Sequence, residues 1–280
     1  MNAVGPRRSL IGRALLWLAI AALVIYSVFP LYWALLTSLR TDEAIAGSIS
    51  LIPRDLTFEQ YGKLFDVYAF GQQYENSAFV AAVTTVITLV LSTFVAYAVA
   101  RRRFKGRRLL VIGMLFSYMF PPLLTLIPLY VLMVMAGLAD TRMALVISHL
   151  SVTMPLGIWL LWGFFSTLPF ELEEAAMIDG CSRLGAFLRV ILPLAVPGLI
   201  TVGIFTFLIS WNDFTHALVM VNSDSVKTLP LGVASLQGAF ASAWGLMMAS
   251  AVMIVAPLLV AFIFLNRFFI QGLSGGAMKG

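Results

Sequence analysis

The side chains with the greatest chemical capacity in this sequence sit close together in one apolar stretch: Trp211, Asn212, Asp213 and His216. Asn212 and His216 are four residues apart, and Asp213 and His216 three apart, so on a helix they share a face and can form one polar patch. Asp213 is the only acid within any stretch apolar enough to cross a bilayer. His149 lies in another such stretch with Ser148 and Ser151 nearby, and Tyr118 lies in a third. Ionisable groups inside a membrane mark solute or ion pathways by default, and they also serve as hydrogen bonds between helices; both readings stay open at this level. Other chemistries are less well supported. A serine hydrolase using Ser148 or Ser151 with His149 or His216 shows no nucleophile motif with an oxyanion site. No metal-ligand spacing surrounds only two histidines, so no metal site is expected.

The elements that position these residues follow from composition. Of 280 residues, 61% are hydrophobic and 11% charged, and the mean hydropathy is +0.97. Soluble domains carry about 25% charged residues, so the bilayer is the solvent for this chain. The formal charge of +5 comes without a basic stripe of interleaved aromatics, so no nucleic-acid partner is expected. Cys181 is alone and excludes an intramolecular disulfide.

A helical span needs about 20 mostly apolar residues. Six stretches qualify: 14–36, 77–100, 109–135, 143–165, 194–221 and 244–265. The apolar run of the first is longer than a cleavable leader needs, which suits an uncleaved anchor. Residues 1–13 are then an N-terminal segment, 14–265 the transmembrane domain with a long loop at 166–193, and 266–280 a C-terminal tail. Lys and Arg gather on the cytoplasmic side of membranes. Arg7, Arg8 and Arg13, the run RRRFKGRR at 101–108, Arg183, Arg189, Arg267 and Lys279 fall on one side. Both termini are therefore expected in the cytoplasm, in a multi-pass protein of the cytoplasmic (inner) membrane. Pro121, Pro122 and Pro128 are expected to interrupt the third span and Pro155 the fourth, since each removes a backbone donor.

The 166–193 loop carries its own pattern. Pro169 and the acids Glu171, Glu173 and Glu174 mark a helix start. Leu172, Ala175 and Ala176 fall on one face, and the alanines allow close approach by another surface. Gly180 permits a sharp turn. A second amphipathic helix follows, with Leu184, Phe187, Leu188 and Ile191 in one stripe, and Pro193 and Pro197 end it. An acidic face would be repelled by anionic lipid, so a protein partner is the better reading than a membrane surface.

These residues also carry a resemblance. Glu174-Ala175-Ala176, then three residues to Gly180, then nine residues to Val190-Ile191-Leu192-Pro193, closely follow the EAA loop of ABC importer permeases, with Val190 where the family pattern has Ile. Asn76-Ser77, Ala96 to Arg101, Phe104 to Arg107, Asp179-Gly180, Trp211 to Phe214 and Gly272 to Ala277 resemble the sugar-importer branch, specifically its MalG-like subunit. The resemblance implies an all-α polytopic membrane protein, a type I importer permease with six transmembrane helices and a cytoplasmic EAA coupling-helix loop. It implies a non-catalytic subunit that pairs with a second permease. A dimer of ATP-binding cassette subunits uses ATP and Mg, and an extracytoplasmic binding protein delivers an oligosaccharide or disaccharide. Glu174, Ala175, Ala176, Asp179 and Gly180 would contact the ATPase, and the tail near Gly275 and Gly276 is a further candidate. Trp211, Asn212, Asp213, His216, Tyr118 and His149 are the candidates for the substrate path, because aromatic and polar groups together suit the apolar face and hydroxylated rim of a sugar. The chain has no phosphate-binding loop of its own, so no cofactor is expected on it. An ion-coupled secondary transporter of a small polar solute is the alternative, but it calls for several intramembrane carboxylates and leaves the loop unexplained.

Overall fold

Backbone groups in lipid must be satisfied within the segment that crosses it, which leaves helices as the economical solution for an apolar chain. The computed structural model describes residues 10–47, 51–52, 56–102, 104–239 and 243–277, and among these it contains helices and turns but no strand. In chain order they are α1 (Leu10–Ser38), α2 (Asp42–Gly47), α3 (Glu59–Asp66), α4 (Phe70–Arg101), α5 (Arg107–Tyr118), α6 (Pro122–Met135), α7 (Arg142–Thr167), α8 (Glu171–Ile178), α9 (Arg183–Ala186), a π-helical turn (Phe187–Ile191), α10 (Leu192–Leu194), α11 (Val196–Trp211), α12 (Thr215–Met220), a 3-10 turn (Asp224–Val226), α13 (Leu229–Ala239) and α14 (Trp244–Ala277).

Among the described residues, three helices are each long and apolar enough to cross a bilayer: Gly12–Ser38, Phe70–Arg101 and Arg142–Thr167. The pair Arg183–Leu194 and Val196–Trp211, bent by 71°, makes a fourth if it is taken as one span, and Leu123–Met135 and Trp244–Val260 are shorter apolar helices. The expected six stretches are therefore all helical, but not all are continuous. The third divides at Met119–Pro121 into α5 and α6, with Pro121 and Pro122 at the break. The fifth divides at Asn212–Phe214 into α11 and α12. Pro128 and Pro155, by contrast, lie inside α6 and α7 and interrupt neither; a lost backbone bond is tolerated where neighbouring turns close around it. The sixth stretch runs on as α14 to Ala277, through most of the segment expected to be a separate tail.

The chain falls into two compact units, Met1–Tyr68 with Leu236–Ala256 and Ala69–Ser235 with Pro257–Gly280. In the first unit, α1 exposes most of its apolar side chains, including Trp17 and Tyr26. Gln60 is buried and donates to the Arg40 carbonyl at 3.3 Å, and the Ser38 and Tyr61 hydroxyls lie 2.8 Å apart.

The second unit holds the functional candidates. Its centre is α4 packed on α7 and α11. Thr84, Thr88 and Ser92 recur every four residues on α4, and all are buried. Thr88 and Thr153 hydroxyls meet at 2.9 Å. At Gly157 an added Cβ would lie 2.8 Å from Ser92 Oγ, so glycine is what allows α7 to approach this closely. Small and hydroxylated residues are the means by which helices pack tightly without a hydrophobic drive. One apolar cluster joins Val80, Leu145, Val146 and Met220. Another joins Ala96, Leu161, Phe165, Phe187 and Ile191.

Candidate functional site

Two sites emerge from this frame. The first is the 166–193 loop. α8 starts at Glu171 with three acids in its first turn, as the charge preference of a helix N-terminus requires. Its ends are tied locally: Glu173 N donates to Phe170 O at 3.0 Å, and Cys181 N to Ala176 O at 3.0 Å. Gly180 sits at φ +88°, with nothing near its absent side chain, so the turn rests on backbone conformation alone.

The buried face of α8 is Glu173 and Ala176. Tyr97 on α4 donates its hydroxyl to Glu173 Oε1 at 2.6 Å, and Arg101 Nε lies 3.6 Å from Glu173 Oε2. Arg101 also donates to the Leu168 carbonyl at 3.1 Å and lies over the Phe170 ring at 4.4 Å. The opposite face is open: Leu172, Glu174, Ala175, Ile178, Asp179 and Gly180 are exposed. The expected face of Leu172, Ala175 and Ala176 is thus split, with Ala176 turned inward. Beside α8 a cavity of about 400 Å³ is lined by Arg101, Arg102, Glu174, Arg183, Leu184 and Phe187 among others. The expected stripe of the second helix also splits. Phe187 and Ile191 are buried, but Leu184 and Leu188 are exposed, and a π-helical turn spans Phe187–Ile191.

The second site lies at the break between α11 and α12. A broken helix leaves backbone donors without partners, and Asp213 supplies the acceptor: its Oδ2 receives His216 N at 3.0 Å and Ala217 N at 3.2 Å. Its Oδ1 lies 2.7 Å from His216 Nδ1. His149 enters from α7, with Nε2 3.2 Å from Asp213 Oδ2 and Nδ1 2.7 Å from Ser210 Oγ. The two imidazoles meet edge to face at 5.3 Å. Ser148 and Ser151 hydroxyls donate to Leu145 and Ser148 carbonyls on their own helix.

The sequence candidates thus separate. Asp213, His216 and His149 converge, and Ser210 joins them, a residue that spacing could not nominate. Asn212 does not meet His216; the chain leaves the helix between them, and the Asn212 amide donates to the Leu208 carbonyl at 2.9 Å with its side chain exposed. Trp211 is 2% exposed, held edge-on by Tyr74 at 5.3 Å and stacked with Phe207 at 5.6 Å. The side chain of Tyr118 lies outside the described part of the structure. Spacing along the chain suggested no metal-ligand arrangement, yet the fold brings one ligand atom from each of His149, Asp213 and His216 within 4.8 Å of one another.

Comparison with known proteins identifies the family. A family model described as "Binding-protein-dependent transport system inner membrane component" matches residues 88–275. The chain is 36% identical to the diacetylchitobiose uptake system permease protein DasC of Streptomyces coelicolor, over 98% of this chain and 100% of that one. It is 33% identical to the trehalose/maltose transport system permease protein MalG of Thermococcus litoralis, over 98% and 99%. Its fold matches a chain of a bacterial ABC transporter that imports the acidic polysaccharide alginate, with TM-score 0.81 and 22% identity, over 96% of this chain and 100% of that one.

Proposed function

The chain belongs to the family of binding-protein-dependent transport system inner membrane components, and from that membership we propose that it is a permease subunit of an ATP-driven carbohydrate importer. The observation that carries this is 33–36% identity, over 98% of the chain, with permeases of disaccharide uptake systems. The permease does not itself hydrolyse ATP; a separate ATPase does, and an extracytoplasmic binding protein delivers the sugar. A second permease and a pair of ATPase subunits complete the assembly, with both termini of this chain in the cytoplasm.

In this reading α8 is the coupling helix. Its exposed face of Glu174, Ala175, Ile178, Asp179 and Gly180 docks on the ATPase, while Glu173 ties it to α4. A push on α8 then reaches the membrane through Tyr97 and Arg101 rather than through the loop backbone. The second site belongs to the sugar path. Asn212 and the edge of Asp213 present polar groups to it, and Trp211, His149 and His216 hold the α11–α12 break in shape behind them. Alternating access follows from rigid-body rocking of these helices as the ATPases close and open.

Uptake tests the assignment directly. Cells lacking the gene for this chain should lose uptake of one labelled disaccharide or oligosaccharide and regain it on complementation. Unchanged uptake across a panel of such sugars would overturn it.

A further inference from the structure

We propose that His149 Nε2, the Asp213 carboxylate and His216 Nδ1 form a binding site for a divalent transition-metal cation of the zinc class. The ligand set is two imidazoles and one carboxylate, drawn from α7, the α11–α12 break and α12, and all three ligand atoms lie within 4.8 Å of one another. Two imidazoles with an oxygen donor match the preference of zinc, nickel or copper over magnesium or calcium, which favour oxygen alone.

His149 supplies the observation that points to an ion. Its side chain is 2% exposed, and its Nε2 makes no hydrogen bond, although Asp213 Oδ2 is only 3.2 Å away. The pair stands within ion-pair reach without a well-directed hydrogen bond, which leaves the Nε2 lone pair available to a cation shared with the carboxylate. Bonds of about 2.1 Å to zinc put neighbouring ligand atoms of a tetrahedron roughly 3.4 Å apart, close to the 3.2 Å between His149 Nε2 and Asp213 Oδ2. Ser210 Oγ, 2.7 Å from His149 Nδ1, fixes that ring from behind; a proton on Nδ1 leaves the Nε2 lone pair facing the site, the role such partners play around metal-bound histidines.

His216 must change more. Its Nδ1 is 2.7 Å from Asp213 Oδ1 and shares a hydrogen bond with it. Metal entry needs the Nδ1 lone pair, so a neutral ring carries its one proton on Nε2 instead and a charged ring releases its Nδ1 proton to solvent, and the pair opens by about 0.7 Å to reach tetrahedral spacing. Asp213 Oδ2 keeps its two backbone donors, so the cap of α12 survives. Asp213 is partly exposed, which gives the ion an entrance and water a fourth position. A bound ion pins α7 to the start of α12, across the break in the fifth span.

The full-length chain, tag-free in detergent and stripped with EDTA, is loaded with zinc and with cobalt. His149 and His216 are the only two histidines in the sequence, so X-ray absorption on the wild type reads the site without any variant. The expected result is one zinc per chain with two imidazole ligands, and visible cobalt bands of a tetrahedral nitrogen and oxygen site. His149→Gln and His216→Gln should each weaken binding about 100-fold. No saturable binding, fewer than two imidazoles around the zinc, or unchanged binding in the double variant would each overturn the proposal.

Discussion

Tyr97 donates its hydroxyl to Glu173 Oε1 at 2.6 Å, and this contact joins the membrane helix α4 to the buried side of α8. Glu173 is therefore an anchor, whereas its neighbour Glu174 faces outward. Replacing them should separate stability from assembly. Glu173→Ala leaves Arg101, whose side chain is 3% exposed, without its counter-charge, and should destabilise the chain by about 3 kcal/mol. Glu174→Ala should stay within about 0.5 kcal/mol of wild type and instead weaken co-purification of the ATPase. Thermal unfolding and pull-down from mild detergent measure the two effects.

Gly180 makes a second test, because its φ of +88° is met with open space around it. A side chain there costs backbone strain rather than a clash, on the order of 1–2 kcal/mol. Gly180→Asn should be tolerated, since asparagine adopts this conformation more readily than other residues. Gly180→Val should reduce sugar uptake severalfold at equal membrane levels. Equal uptake by the two variants would show that the turn geometry does not matter for coupling.

Much of this loop was legible from its residues. The start of α8 at Glu171 followed from Pro169 and the clustered acids, and the turn at Gly180 from the one residue able to make it. The role of Glu173 was missed because its partners, Tyr97 and Arg101, lie on another helix; their four-residue spacing put them on one face, and that was the available signal. At Asp213, spacing correctly paired it with His216 but for a different reason, since the contact is a cap on a broken helix rather than two neighbours on an intact one. The same break removed Asn212 from the patch. His149 and Ser210 could not be joined to Asp213 by any local pattern, because only the packing of α7 on α11 brings them together.

Asp140 gives a pH-dependent prediction outside the membrane-spanning segments. Its carboxylate accepts from the Ser223 hydroxyl and from Ser223 N at 3.0 Å and Asn222 N at 2.9 Å. These bonds, the Ser223 hydroxyl foremost, hold its pKa below the ordinary carboxylate value. A depressed folded pKa contributes stability that is fully present above the unfolded value of about 4 and is lost as pH falls through the folded one. The stability gap between wild type and Asp140→Asn should therefore be constant near neutral pH and shrink below about pH 4. Thermal unfolding across that range checks it, and a gap independent of pH would show that the carboxylate charge is not what these bonds hold.

In the function proposed above, the outer face of α8 passes the work of a partner ATPase to a sugar path. The direct measurement is ATP hydrolysis by the complex in lipid nanodiscs, assembled with its second permease and ATPase subunits, with and without sugar-loaded binding protein. The wild-type chain should support strong stimulation by the loaded binding protein. Glu174→Lys, which reverses an exposed charge without touching the Glu173 anchor, should abolish most of it while the chain remains folded. Full stimulation with Glu174→Lys, or the same stimulation with this chain omitted, would rule out coupling through α8.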